Sequence, residues 1–102
     1  MHKSLYSRPN DVFLMLLRDV RTSKRLRQSD LAMRLGRSQA IVSRVESGER
    51  RLDITELVVW LAAMDTDIVT FAKQLHSSLE GDIAGTGRRR QKRLHQVGRR
   101  GP

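Results

Sequence analysis

The sequence predicts an all-α fold of five helices, and three observations support this prediction. Apolar residues recur at intervals of three and four positions through residues 10–80, which places them on one face of successive helices. No stretch alternates apolar and polar residues for long enough to indicate a sheet. Capping residues and glycines stand where helices would begin and end. We therefore expect one helical domain over residues 10–80, preceded by a flexible N-terminus over residues 1–9.

The first helix is predicted to begin at Asn10, a plausible N-cap, and to end near Lys24. Four apolar residues follow the cap at helical spacing, and they are Phe13, Leu16, Leu17 and Val20. They give this helix an apolar face that can pack against the rest of the domain.

Residues 28–35 and 39–47 are predicted to form two short helices that cross at a tight turn. Leu31 and Leu35 lie four positions apart and share one face of the first of these helices. Ala32 beside them is small enough to let the second helix approach closely. The two helices are therefore expected to pack directly on each other.

Two glycines and a serine mark the ends of this helix pair. Gly36 follows the first helix and Gly48 follows the second, and glycine adopts the left-handed conformation after a helix without steric cost. Ser38 precedes the second helix, where its side chain can accept a hydrogen bond from a free backbone N–H. Val42 and Val45 form the inward face of the second helix, so its polar residues are expected to face outward.

The last two helices are each predicted from a capping signal and an apolar face. Asp53 followed three residues later by Glu56 resembles a capping box. The fourth helix then carries Ile54, Leu57, Val58, Trp60, Leu61 and Met64. The fifth helix starts at Asp67 and carries Ile68, Phe71, Ala72 and Leu75.

The stretch from residue 28 to residue 48, QSDLAMRLGRSQAIVSRVESG, resembles the helix-turn-helix of the Cro/repressor-type (XRE-like) family. That family's pattern begins with Gln, has Ala four residues later and Gly eight residues later, and ends with Glu-x-Gly. The matching residues here are Gln28, Ala32, Gly36, Glu46 and Gly48. The resemblance extends from about Leu17 to Leu75, and it implies a five-helix, repressor-like DNA-binding domain.

Two positions depart from the family's pattern. Arg27 stands where the family usually has Ser or Thr, and Arg37 stands where it often has Val. The first departure removes an N-cap, and both departures add positive charge where DNA phosphates would lie. We expect these two residues to lower the stability of the fold somewhat and to raise its affinity for DNA of any sequence.

The resemblance also implies roles for individual residues. The helix over residues 39–47 is expected to enter the major groove, where its N-terminal side chains reach base edges. The expected base-reading residues are Gln39, Ala40, Ser43 and Arg44. Ile41 could add a further apolar contact to a base, and Arg44 could bind a phosphate instead of a base. The expected phosphate-contacting residues are Arg27, Gln28, Arg37, Ser38, Arg50 and Arg51, although each arginine could equally be a solvated surface charge. Arg21 is expected to form a structural ion pair with Glu46, as in the family.

The charge is concentrated near the C-terminus. The chain has 20 basic and 11 acidic residues and a net charge of +9, which favours a polyanionic partner. Residues 81–102 contain seven basic residues, one acidic residue and few apolar ones, so we expect a disordered Arg-rich tail. This tail is expected to lie along phosphates or in the minor groove. An inert solubilising segment is the alternative.

Several classes of site and location are not expected. The chain has no cysteine, which excludes disulfides and thiolate metal sites. No apolar run approaches the roughly 20 residues of a membrane span, and no signal peptide is evident. We therefore expect a soluble cytoplasmic, nucleoid-associated protein. Without metal-ligand spacing, a phosphate-binding loop or a nucleophile motif, we expect no metal, no cofactor, no small-molecule ligand and no enzymatic activity.

These features favour a sequence-specific regulator of transcription, most readily a repressor that binds an inverted repeat of double-stranded DNA as a homodimer. Val59 and Val69 stand where the family commonly has charged residues, and they form the candidate dimer interface, with a monomer as the alternative. Two other functions stay open. One is an antitoxin that binds DNA and a toxin or other protein partner, and the other is a nonspecific nucleic-acid-binding protein.

Overall fold

The computed structural model describes residues 7–83 of the chain and the side chains of residues 8–80. Five α-helices account for most of this range, and no strand occurs within it. The predicted all-α fold is therefore confirmed, and the second and third helices have the predicted bounds. The helices are α1 (Ser7–Ser23), α2 (Gln28–Leu35), α3 (Gln39–Ser47), α4 (Ile54–Ala63) and α5 (Ile68–Ile83).

α1 begins earlier than predicted, at Ser7. The expectation that Asn10 caps this helix is wrong, because Asn10 lies inside it. Pro9 permits the earlier start, since the N–H groups of a first helical turn have no acceptor within the helix and a proline there loses no hydrogen bond. The predicted flexible N-terminus over residues 1–9 thus contains the first three residues of α1.

α5 continues to Ile83 and so crosses the predicted domain boundary at residue 80. A carboxylate oxygen of Asp67 accepts a hydrogen bond from the Thr70 N–H at 2.8 Å, which satisfies one free N–H of the first turn. This bond lowers the pKa of Asp67 below its ordinary value. The rest of the predicted disordered tail lies outside the described residues and stays a prediction.

Both predicted helix-ending glycines have left-handed backbone conformations. Gly36 after α2 has a φ of 67°, and Gly48 after α3 has a φ of 87°, values that glycine adopts without strain. Gly48 also lies close to α1, because a Cβ atom at this position would be 3.1 Å from Leu14 Cδ1. A side chain at position 48 would therefore strain the backbone and press against α1.

Side chains cap α3 and α4 as predicted. Ser38 Oγ accepts a hydrogen bond from the Ile41 N–H at 3.3 Å. Asp53 Oδ1 accepts a hydrogen bond from the Glu56 N–H at 2.7 Å, and Glu56 Oε1 accepts one from the Asp53 N–H at 3.1 Å. This reciprocal pair satisfies two N–H groups that the start of a helix leaves free. The bond from the Glu56 N–H also lowers the pKa of Asp53.

All five helices contribute to the core. Phe13 of α1 and Phe71 of α5 pack edge to face, with ring centroids 5.7 Å apart and ring planes at 89°. Trp60 is only 3% exposed and belongs to this core, so it is not available to stack on a nucleic-acid base. The other fully buried side chains are Leu17, Leu31, Val42, Val45, Leu61 and Met64.

A buried ion pair joins α1 to α3. Arg21 Nε donates to Glu46 Oε2 at 2.6 Å, and Arg21 Nη2 donates to Glu46 Oε1 at 3.0 Å. Arg21 is 9% exposed and Glu46 is 3% exposed, so neither charge is well solvated without the other. Arg21 Nη1 also donates to the Leu26 carbonyl at 2.7 Å, in the loop between α1 and α2. One guanidinium thus connects α1, this loop and α3.

Replacing Glu46 by Ala is expected to lower the free energy of unfolding by about 3–5 kcal/mol, because Arg21 would keep a buried charge without its partner. Urea unfolding followed by far-UV circular dichroism measures this change. Glu49→Ala is the control, since Glu49 is exposed just after α3. Its loss is expected to change the free energy of unfolding by less than about 0.5 kcal/mol. Equal effects of the two substitutions would contradict a structural role for the buried pair.

Candidate nucleic-acid interface

α3 has one buried face and one exposed face. Val42, Val45 and Glu46 are buried against the rest of the domain. The four residues predicted to read bases are all exposed, and Ile41 is half-buried. Their spacing of one, three and four positions keeps the four on one side of the helix. That side therefore presents an amide, a methyl, a hydroxyl and a guanidinium from Gln39, Ala40, Ser43 and Arg44.

Two glutamines connect the exposed face of α3 to the buried ion pair. Gln28 Nε2 donates to Glu46 Oε1 at 3.0 Å, and Gln39 Nε2 donates to Gln28 Oε1 at 2.9 Å. We call these three residues, Glu46, Gln28 and Gln39, the glutamine relay. A primary amide has two N–H donors and one carbonyl acceptor. Gln39 therefore keeps one N–H and its carbonyl oxygen for a ligand, in an orientation that the relay fixes.

Gln28 occupies a different place in this arrangement. It is the first residue of α2 and is half-buried, and both ends of its amide already have partners within the protein. Its second N–H remains available, next to the free backbone N–H groups of the first turn of α2. The N-terminus of a helix favours an anion, so this position is chemically suited to a phosphate oxygen.

Arg27 precedes α2 and cannot cap it as Ser or Thr would, because a guanidinium has no hydrogen-bond acceptor. Asp30 compensates in part, since its Oδ2 accepts a hydrogen bond from the Arg27 N–H at 2.8 Å. The Arg27 side chain lies on the same carboxylate, with Nε 3.1 Å from Oδ2 and Nη2 3.1 Å from Oδ1. These hydrogen bonds raise the pKa of Arg27 and lower that of Asp30. Arg27 is therefore exposed but already paired.

Glu56 brings together the two loops that flank α3. Arg50, in the loop after α3, donates from Nη2 to Glu56 Oε2 at 3.0 Å. Arg37, in the turn before α3, has its Nη2 at 4.0 Å from the same oxygen. The hydrogen bond from Arg50 holds the pKa of Glu56 below its ordinary value. Arg37, Arg50 and Glu56 form a cluster of two positive charges and one negative charge, which we call the Glu56 cluster.

Arg44 and Arg51 are the two predicted DNA-contacting arginines without an ion pair among the described residues. Both side chains are exposed, Arg44 on α3 and Arg51 in the loop after it. Their guanidinium groups need not exchange an internal carboxylate for a ligand. They are therefore the cations of this surface that an incoming anion can reach at the lowest cost.

The pairing of Glu56 with arginines was missed by sequence analysis, which predicted only its capping role. In the Glu56 cluster, Glu56 belongs to α4, and its two arginine partners lie six and nineteen positions before it in separate loops. Helical periodicity relates residues within one helix and carries no information on such contacts. The only available signal was the presence of arginines on both sides of α3.

The two residues of the candidate dimer interface are exposed but lie beside different grooves. Val59 is 59% exposed and Val69 is 60% exposed. Val59 lines a groove of about 230 Å³ whose other lining residues are Leu35, Arg37, Thr55, Glu56 and Trp60, so this groove also borders the Glu56 cluster. Val69 lies on an open, mostly apolar surface of α5, together with Ile68, Ala72 and His76.

Two other kinds of site are absent from the part of the chain that the structure describes. No group of three His, Cys, Asp or Glu residues is placed to hold a metal ion within this range. No helix in it is long and apolar enough to cross a membrane. The exposed chemistry around α3 includes amide, hydroxyl and guanidinium donors, which suit hydrogen bonding to a polyanion.

Comparison with known proteins agrees with this geometry. A family model described as helix-turn-helix matches residues 17–71, which is more than half of the chain. The matched range includes α2, α3, the glutamine relay and the buried ion pair. No curated protein and no solved structure matches the chain. The chain belongs to the XRE-type, Cro/repressor-like helix-turn-helix family of DNA-binding transcription regulators.

Proposed function

We propose that this protein is a repressor that binds an inverted repeat of double-stranded DNA as a homodimer and thereby occludes a promoter. The observation that carries this proposal is the glutamine relay, which holds the Gln39 amide in one orientation on the exposed face of α3. A helix that contacted only phosphates would not need an oriented amide at this position. Because the ligand is genomic DNA, we place the protein in the cytoplasm, in association with the nucleoid.

The exposed face of α3 offers donors and acceptors that match base edges in the major groove. The free N–H and carbonyl oxygen of Gln39 can bind adenine N7 and N6 together. Arg44 can form a bidentate pair with guanine O6 and N7. Ala40 supplies an apolar contact to a thymine methyl group, and Ser43 supplies a hydroxyl to a base or to the backbone. The assigned reading set is therefore chemically varied enough to discriminate bases.

The phosphate contacts come from residues around α3, which fix the register of the domain on DNA without reading sequence. Ser38 Oγ accepts the Ile41 N–H and still has its own O–H to donate to a phosphate oxygen. Gln28 keeps one amide N–H at the start of α2, where an anion is favoured. The complete set that we assign to phosphates is Arg27, Gln28, Arg37, Ser38, Arg50 and Arg51.

A second copy of the chain would supply a second reading helix. One α3 reaches only a few base pairs, whereas a two-fold dimer presents two such helices about 34 Å apart, one turn of the duplex. In a two-fold interface, a patch on each copy meets the complementary patch on the other. We propose that the exposed side chains of Val59 and Val69 contribute to this interface.

Selection of binding sites from a random duplex DNA library tests the proposed function. At near-physiological salt, the full-length chain is expected to retain a two-fold symmetric motif. Retention without any motif would contradict sequence-specific binding and would favour a nonspecific nucleic-acid-binding protein. A toxin encoded beside this chain and bound to it would favour the antitoxin alternative, which no specific contact in the described residues supports.

Gln39→Ala and Arg44→Ala are each expected to lose about 1–3 kcal/mol of binding free energy on the selected site, because each removes a bidentate base contact. Their affinity for random duplex DNA is expected to change far less. Fluorescence anisotropy with both duplexes, for the full-length chain, measures the two effects separately.

Arg34→Ala is the charge-matched control for Arg44→Ala. Arg34 belongs to α2, but its Nη1 donates to the Ala63 carbonyl and to Asp65, away from α3. Its removal is expected to leave the ratio of selected-site to random affinity unchanged. If Gln39→Ala and Arg44→Ala weakened both duplexes by the same factor, the assignment of α3 as the reading helix would be wrong.

Deleting residues 86–102 is expected to flatten the dependence of DNA affinity on salt while preserving the preferred sequence. The deleted segment contains seven basic residues, so the slope of log affinity against log salt concentration should decrease by up to about 6. Titrations at four salt concentrations, with the full-length and shortened chains, measure both slopes. An unchanged slope would show that the tail makes no phosphate contact.

Val59→Asp and Val69→Asp are each expected to weaken dimerisation at least about tenfold, because each places a charge in an apolar interface. Sedimentation equilibrium of the free protein measures the dimer dissociation constant. Met15→Asp is the control, since Met15 is an exposed apolar residue on α1 and not part of the proposed interface. Dimerisation that was unaffected by both valine substitutions would place the interface elsewhere.

A further inference from the structure

The Glu56 cluster resembles a phosphate-binding site in which a carboxylate of the protein takes the place of the phosphate. Two guanidinium groups from different loops approach a single carboxylate oxygen, Glu56 Oε2. Guanidinium groups bind carboxylate and phosphate oxygens with the same geometry. The cluster has a net positive charge, so a DNA phosphate is attracted to it, yet the internal carboxylate already accepts a hydrogen bond from Arg50 and lies within ion-pair distance of Arg37.

From this arrangement we infer that Glu56 is an internal competitor of DNA phosphate, which lowers the affinity of the domain for DNA of any sequence. The inference rests on the proposed phosphate contacts of Arg37 and Arg50. It assigns to Glu56 a function beyond capping α4. No base contact is involved, so the effect of Glu56 applies to the operator and to random DNA alike.

The ion pairs of the cluster are weak enough to be exchanged. The side chains of Arg37 and Arg50 are 43% and 32% exposed, and that of Glu56 is 28% exposed. Ion pairs with this exposure contribute little net stability. An arginine that moves from Glu56 to a phosphate loses its ion pair with Glu56. An arginine that binds Glu56 and a phosphate together brings two negative charges close to each other, and these charges repel. Glu56 opposes phosphate binding in either case.

The capping role of Glu56 keeps the competitor in place. Its Oε1 accepts the Asp53 N–H at 3.1 Å, while its Oε2 faces the arginines. One carboxylate oxygen is thus held by the first turn of α4, and the other is directed at the cluster. Glu56 cannot turn away from an approaching phosphate without losing its part of the cap. The opposition to phosphate is therefore a fixed property of the folded domain.

Glu56→Gln tests the inference because the variant keeps a carbonyl acceptor for the Asp53 N–H and presents a neutral NH2 group to the arginines in place of the charged oxygen. The full-length variant is expected to bind a fluorescein-labelled random-sequence duplex about threefold to tenfold more tightly than the wild type near 0.1 M salt. Fluorescence anisotropy gives both dissociation constants. Far-UV circular dichroism of both proteins verifies that the helix content is unchanged.

Asp65→Asn is the matched control. It also removes one negative charge from an exposed arginine pair, in which Arg34 Nη1 lies 3.2 Å from Asp65 Oδ2. Asp65 lies two residues beyond the end of α4, whereas Glu56 lies in its first turn, and the helix from Glu56 to Ala63 alone spans about 10 Å at 1.5 Å per residue. The Debye length is also roughly 10 Å at 0.1 M salt, so Asp65 is largely screened from the Glu56 cluster. The control is therefore expected to change the affinity by less than about twofold.

A second control removes the two arginines. In a variant that carries Arg37→Gln and Arg50→Gln, the further substitution Glu56→Gln is expected to change the affinity for DNA by less than about twofold. The reason is that the two arginines with which Glu56 pairs are absent from this variant. An equal gain with Asp65→Asn, or an undiminished gain without the arginines, would attribute the effect to net charge and overturn the inference. Unchanged or weaker binding by Glu56→Gln would also overturn it. If the wild type and every variant failed to bind duplex DNA at low salt, the proposed function itself would fail.

Discussion

The Arg21–Glu46 ion pair is the interaction on which the position of α3 depends. Hydrophobic contacts hold α3 against the core, but they have no preferred direction and tolerate small rotations. The ion pair has two directional hydrogen bonds, at 2.6 and 3.0 Å, and is buried, so it restricts the rotation of α3 relative to α1. The same Glu46 carboxylate anchors the glutamine relay. The orientation of the Gln39 amide on the surface therefore follows from a charge pair inside the domain.

The stability of the two short helices of the helix-turn-helix depends on the caps at their ends as much as on the packing of their apolar faces. α2 has eight residues and α3 has nine, and isolated helices of this length are not stable in water. Ser38 satisfies an N–H at the start of α3, and Gly48 closes its other end in a left-handed conformation, where a Cβ atom would also lie 3.1 Å from Leu14 Cδ1. Packing and capping thus act together to hold α3 in its place.

The fold was predictable where local chemistry determines it. Gly36, Gly48, Ser38 and Asp53 act within one turn of their positions, and each has the conformation or cap that the sequence predicts. The start of α1 was not predicted, because Asn10 is a good cap in isolation while the helix extends back beyond it through a first turn that tolerates proline. The family resemblance implied the partner of Arg21, which no local pattern could identify. Neither the local patterns nor the family resemblance indicated the contacts between Glu56 and the arginines, because these contacts depend on the paths of two loops.

The charges around α3 show why a strongly basic chain need not present a uniformly attractive surface. The domain pairs Arg27 with Asp30, and it pairs both Arg37 and Arg50 with Glu56. Among the described cations that we propose to contact DNA, those without an ion pair are Arg44, on the exposed face of α3, and Arg51. A phosphate that meets the paired arginines must compete with a carboxylate, whereas a base edge that meets Arg44 need not. The distribution of carboxylates therefore opposes the binding of phosphates, while Arg44, the arginine that we propose to read a base, has no internal carboxylate as a competitor.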